Sequence, residues 1–114
     1  MASTPEVKVK QSVVKLLKHY GAYYFFSATH GFGRSGIPDI TACLRGFFVA
    51  IECKAGKNKP TELQEREIAA IKEAGGIALV INETNLHELK EVLEQFTGGS
   101  DSAENKSGNA GADT

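Results

Sequence analysis

Residues 37–54 read Ile-Pro-Asp-Ile-Thr-Ala-Cys-Leu-Arg-Gly-Phe-Phe-Val-Ala-Ile-Glu-Cys-Lys. Two apolar runs, Ile40 to Leu44 and Phe47 to Lys54, flank Arg45-Gly46. This pattern predicts an antiparallel hairpin closed by a tight turn, although Arg-Gly is a weaker turn signal than Asn-Gly. With the turn centred there, Leu44 faces Phe47, Thr41 faces Ala50 and Asp39 faces Glu52. Opposed residues of an antiparallel pair point to one side of the sheet with Cβ atoms about 4.5–5.5 Å apart, so two acids placed this way repel and ask for a cation. Alternation puts Lys54 on the face of Glu52 and turns Val49, Ile51 and Cys53 into the opposite layer. Two acids and a lysine therefore converge. A three-residue turn would shift the register by one and send the acids to different faces.

Carboxylate oxygens are hard ligands suited to Mg²⁺ or Mn²⁺, and the absence of any nearby Cys/His ligand spacing argues against zinc. A divalent ion held by carboxylates polarises a phosphate, lowers the pKa of a bound water and neutralises developing charge. Lys54 is then placed to position that water or to offset charge on a phosphate oxygen. The bland reading of the same residues is a hairpin carrying surface acids and a lysine. His30 is the histidine nearest the pattern, and as a lone loop residue it reads as solvated rather than as a phosphate contact.

Outward from the hairpin, the chain alternates helical and extended patterns. The first helix is expected to open at Ser3 or Thr4, with Pro5 at its first position, and to run to Tyr20 before Gly21. Val13, Leu16, Leu17 and Tyr20 follow helical spacing. Ala22 to Ser27 (AYYFFS) is aromatic and β-prone. The segment THGFGRSGIP, with glycines at 31, 33 and 36, reads as a loop able to bring backbone close to a ligand. After a polar loop from Ala55 to Pro60, Thr61-Glu62-Leu63-Gln64 has the form of a capping box, which predicts a helix over 62–74 ended by Gly75-Gly76. Ile77 to Ile81 (IALVI) reads as a strand buried on both faces. A last helix follows from Asn85, with Glu88 three residues on and Leu86, Leu89, Val92, Leu93 and Phe96 along one stripe. The order is α-β-β-β-α-β-α, and no repeat at a solenoid period is visible.

The 114-residue chain, 41% hydrophobic and without Trp, has material for one modest core. The domain is expected over 1–97, because 98–114 holds no large apolar residue and reads as a flexible tail. Cys43 and Cys53 both lie in apolar runs and read as small core residues in a reducing compartment. No stretch approaches about 18 uncharged apolar residues, so a soluble, cytoplasmic protein without a membrane association is expected. The net charge of −1 hides an asymmetry. Residues 1–60 carry nine Lys and Arg against three acids, whereas 61–97 carry three against eight. A basic half fits phosphate contacts, with Lys8, Lys10, Arg34, Lys54, Lys57 and Lys59 in the same segment as Glu6, Asp39 and Glu52.

Gly36-Ile37-Pro38-Asp39, twelve intervening residues, Glu52-Cys53-Lys54 and then Thr61-x-x-Gln64 resemble the PD-(D/E)XK nuclease superfamily, and within it the VRR-NUC family. The resemblance covers roughly residues 5–82. It implies a restriction-endonuclease-like α/β domain with an αβββαβ core, a mixed sheet flanked by helices. It further implies metal ligation by Asp39, Glu52 and the backbone carbonyl of Cys53, catalysis by Lys54, and support of the site by Gln64. A glutamate on the first helix also serves in this family, and Glu6 is the acid available for that role. On the residues alone, Glu6 reads equally as a first-turn acid favoured by the helix dipole. Lys8, Arg34, Lys57 and Lys59 are the expected DNA contacts. The activity implied is Mg²⁺- or Mn²⁺-dependent cleavage of DNA, in stand-alone phage-type members by a homodimer on branched substrates such as four-way (Holliday) junctions. A flap or general structure-specific nuclease is the first alternative, and a catalytically silent DNA-binding module of the same fold is the second.

Overall fold

The computed structural model describes residues 4–28 and 33–97. Ser3, His30, Gly31 and the expected tail 98–114 lie outside the described residues. The elements follow in the order α1 (Pro5–His19), β1 (Tyr23–Phe26), β2 (Ile40–Leu44), β3 (Phe47–Cys53), α2 (Glu62–Glu73), β4 (Ile77–Ile81) and α3 (Leu86–Thr97). The strands form one mixed sheet in the order β1-β2-β3-β4, with β1–β2 and β2–β3 antiparallel and β3–β4 parallel. The fold is the expected α/β arrangement, and the element bounds differ from the sequence reading by one residue at several ends.

Local chemistry accounts for these elements. Thr4 caps α1 by accepting the Val7 N–H at 3.1 Å, Pro5 supplies a ready-made helical φ at a position needing no donor, and the next turns place Val9, Val13 and Leu17 on one buried stripe. At the hairpin, Arg45 (φ 55) and Gly46 (φ 89) both take positive φ, the signature of a two-residue type I′ turn. The register is the expected one, with Thr41 opposite Ala50 and Ile40 opposite Ile51. Alternation on β2 and β3 sends Ile40, Ala42, Leu44, Val49, Ile51 and Cys53 into a core with Val13 and Leu17 of α1 and Leu89 and Leu93 of α3. Helix α2 lies on the other face of the sheet, against β4 and the β3 end of that face.

Helix α2 has no fully buried residue and covers only part of its face, and among the described residues the β1–β2 half is left uncovered. A groove of about 720 Å³ runs there between Phe25, Thr41, Phe48 and Ala50 of the sheet and Ala70, Ile71 and Ala74 at the helix. Two expectations are corrected by this geometry, the core placement of Cys43 and the covering of β4 on both faces. Cys43 points to the uncovered side and is exposed, whereas Cys53 is buried, and neither forms a disulfide. Tyr23, Phe25, Phe26, Phe47 and Phe48 are exposed, with Phe47 stacked on Phe96 at 3.9 Å between centroids. β4 is a sheet edge in which only Ala78 and Ile81 are buried, so its continuous apolar run does not mark a strand covered on both faces. The Asn85 side chain also departs from a capping box. It accepts the Asn82 N–H at 2.7 Å and donates to the Val80 carbonyl and to Glu88, tying the start of α3 back to the end of β4.

Candidate active site

The C-terminal end of β3 is where the chemistry collects. Glu52 is a strand residue whose neighbours in the chain, Ile51 and Cys53, point into the core, so its own side chain is directed to the α2 face and is 2% exposed. One carboxylate oxygen, Oε2, accepts from Gln64 Nε2 at 2.8 Å and lies 3.5 Å from Lys54 Nζ. The other, Oε1, is buried and has no hydrogen-bond partner among the described residues. Burial pushes the Glu52 carboxyl up to about 7, with Asp39 adding to the rise and Lys54 opposing it; Glu6 adds a smaller upward contribution.

Gln64 is held for its task by the helix that carries it. Its Oε1 accepts the Thr61 N–H at 2.8 Å while Thr61 Oγ1 accepts the Gln64 N–H at 3.2 Å, which is the predicted capping box. The amide nitrogen left over faces Glu52. One side chain therefore closes the helix start and holds a buried acid. Gly36 brings the preceding loop against this same turn. At φ +77, a Cβ on Gly36 would lie 2.8 Å from the Leu63 carbonyl carbon and oxygen. The Gly-Ile-Pro-Asp stretch thus approaches α2 as closely as only glycine permits.

Asp39 stands one residue before the start of β2, in a bend rather than in the strand. Its backbone carbonyl still accepts the Ser27 N–H at 2.8 Å, continuing the β1–β2 ladder. Its side chain replaces what would be the next β2–β3 ladder bond, with Oδ2 accepting the Cys53 N–H at 2.9 Å. The second oxygen, Oδ1, lies 4.0 Å from Lys10 Nζ of α1. Asp39 and Glu52 are therefore brought to the same strand end, each with one oxygen engaged by the protein in a defined bond. The Cys53 thiol itself is driven up to about 12 by burial first and Asp39 next, so it stays protonated at neutral pH and is unsuited to metal ligation.

The remaining expected residues surround this centre. Glu6 is half-buried in the first turn of α1, close enough to raise the Glu52 carboxyl slightly through its charge. No group of three or more His, Cys, Asp or Glu side chains gathers closely enough to hold a metal among the described residues. Lys57 and Lys59 are exposed on the loop between β3 and α2, and Lys8 is exposed on α1. Arg34 is engaged by α2, its Nε donating to both carboxylate oxygens of Glu67 at 2.8 and 3.1 Å. Lys10, which the sequence groups only with the basic residues, is brought to the site by α1. Its spacing of four from Glu6 along a helix was the available signal, since that places both on one side of α1.

The donor set suits a hard divalent ion. Two carboxylates share this strand end, Asp39 near enough to raise Glu52, and Glu52 Oε1 is buried without a partner among the described residues, which is costly in a protein interior unless a cation or a proton satisfies it. A protein described as "Putative nuclease p44", from Acyrthosiphon pisum secondary endosymbiont phage 1, is 32% identical to this chain over 87 residues, which span 74% of this chain and 89% of that protein. Among solved structures, one described as "VRR_NUC domain" superposes with a TM-score of 0.67 at 22% identity, covering 82% of this chain and 99% of that one. No family model matches the chain.

Proposed function

The chain belongs to the VRR-NUC family of nucleases, and from its site we propose a PD-(D/E)XK-type endonuclease that hydrolyses phosphodiester bonds in DNA with Mg²⁺ or Mn²⁺. The observation that carries this reading is Glu52, buried at the end of β3 with one oxygen held by Lys54 and Gln64 and the other without a partner beside Asp39. Asp39 and Glu52 would hold the ion, with the Cys53 carbonyl and Glu6 as further oxygens. When bound, the ion supplies Lewis-acid polarisation of the phosphate and a more acidic water.

The protein's own residues do the rest. Gln64 fixes the Glu52 carboxylate through a side chain that is itself locked by the capping box, so the acid does not have to be ordered when substrate arrives. Lys54, with its ammonium largely shielded from solvent, stands beside the acids to orient the attacking water and to offset negative charge on the phosphate. Lys57 and Lys59 on the adjoining loop, with Lys8 and Arg34, are placed to meet backbone phosphates. Arg34 can do so only while bridging to Glu67 or after leaving it.

Branched DNA, in particular a four-way junction, is the substrate we assign, cut by a homodimer in the cytoplasm of the host cell. The β1 edge supports the dimer. Among the described residues no further strand pairs with it, and it exposes the rings of Tyr23, Phe25 and Phe26. Among the described residues, no helix is long and apolar enough to cross a membrane.

The test is a panel of duplex, nicked, flap, splayed and four-way substrates at equal concentration, each with Mg²⁺, Mn²⁺ or EDTA. Cleavage that needs the metal and favours the four-way substrate is the expected result. Equal rates on all substrates would replace the junction assignment with a general structure-specific nuclease. Binding without cleavage under every condition would leave a silent DNA-binding module.

A further inference from the structure

The two acids of the site divide their oxygens in the same way. Asp39 commits Oδ2 to the Cys53 N–H, and Glu52 commits Oε2 to Gln64 and Lys54. What remains for a metal is Asp39 Oδ1 and Glu52 Oε1. The second of these has no partner, but the first has Lys10 Nζ 4.0 Å away. Lys10 comes from α1, where its neighbour Val9 is buried and anchors that turn to the core. Its side chain thus reaches toward the acid from an anchored turn. The side chains of this pair are 32% and 25% exposed, so the pair is partly desolvated yet open enough to be exchanged.

We propose that Lys10 is a counter-ion of Asp39, a positioning residue that neutralises this acid when no metal is bound and competes with the divalent ion for Asp39 Oδ1. A divalent ion and an ammonium cannot both approach that oxygen closely, because they repel each other and want the same lone pairs. Lys10 therefore weakens metal binding in the absence of DNA and keeps Asp39 in place until the ion arrives. The proposal rests on the metal reading of Asp39 and Glu52 given above.

Mn²⁺ binding without DNA, followed by calorimetry, separates the two. The proteins compared are wild type, Lys10→Met, Lys10→Arg, Asp39→Asn and Lys18→Met, the last removing one charge from the distant end of α1. Lys10→Met is expected to bind Mn²⁺ about fivefold tighter than wild type, the scale of a partly exposed ion pair removed. Lys10→Arg should restore the wild-type value and Lys18→Met should match it, which excludes an effect of net charge alone. A Lys10→Met affinity within twofold of wild type, or an equal gain in Lys18→Met, overturns the proposal while the metal reading stands if Asp39→Asn loses binding. Absence of Mn²⁺ binding in wild type, or undiminished binding in Asp39→Asn, overturns the metal reading and the role of Lys10 with it.

Discussion

Glu52 carries a carboxyl raised to about 7 chiefly by its burial, and this makes its cost to the fold readable through pH. A group that binds its proton more tightly in the native state than in the unfolded chain contributes stability that is complete below its unfolded pKa and is lost as pH rises through the folded value. For Glu52 that window runs from an ordinary value of 4.5 up to about 7. Glu52→Gln, a neutral isostere able to meet Gln64, should match wild type at the acid end in EDTA and become the more stable protein as pH rises through the window. The gap should level off above it at no more than about 3 kcal/mol. Paired chemical-denaturation curves across this range check it, and a pH-independent gap would contradict the assignment. Mn²⁺ at about a thousandfold excess over Kd should reverse the order at neutral pH, since an ion bound only by the folded wild type contributes about 4.1 kcal/mol there, more than the gap it has to overcome. Lys54 belongs to the same scale. Lys54→Ala is expected to abolish cleavage while leaving DNA affinity within a few-fold, because a single charge among several phosphate contacts adds little to binding. Cleavage at the wild-type rate would remove Lys54 from the mechanism.

Among the elements, α2 and the loop before β2 act as one unit through Gly36. The loop ends in Asp39 and the helix begins with the Thr61–Gln64 box, so their close approach sets both sides of the site at once. Gly36→Ala adds a methyl against Leu63 backbone atoms at 2.8 Å and demands a left-handed φ of +77 from a residue with a Cβ. Backbone cannot yield as a flexible side chain would, so a loss of about 2–3 kcal/mol is expected from clash and strain together. Activity should fall further than stability predicts, because Asp39 and Gln64 move apart. The check is kcat measured well below the midpoint of thermal unfolding. Gly46 offers the contrast, with nothing within 4 Å of a Cβ there, so its replacement costs the strained φ of the turn without touching the site.

For the whole molecule, the uneven cover of the sheet is the feature with consequences. Helices α1 and α3 bury one face, whereas α2 leaves the β1–β2 half of the other face open beside an aromatic edge strand. Exposed rings on a sheet edge are a liability unless they are covered in the working assembly. Replacing Phe25 and Phe26 by glutamate should therefore yield a monomer that remains folded, since both rings are exposed, and should impair paired cleavage of a junction more than nicking of a single strand. Sedimentation of both proteins tests this. A wild-type monomer at micromolar concentration, or an unchanged dimer in the variant, would place the contact between copies elsewhere or remove it.

Much of this arrangement is local and so could be read from the chain. Thr4-Pro5, Thr61-x-x-Gln64 and the alternation around Arg45-Gly46 each act through neighbours within a few residues, and the hairpin register then follows from the two-residue turn together with the side-chain period. That register brought Asp39 and Glu52 to the same strand end, and the capping box placed Gln64 at a helix start. The rest was decided by contacts between parts distant in sequence. Cys43, the aromatics of β1 and IALVI have compositions that suit a covered face, but whether a face is covered depends on where α2 and the sheet edges fall. The side-chain bond from Asp39 to the Cys53 N–H, the Arg34–Glu67 pair and the approach of Lys10 likewise need two elements to meet. Periodicity determines which side of its own element a residue occupies. Only the packing of one element on another determines what stands opposite, and with it which carboxylate oxygens are left for a cation.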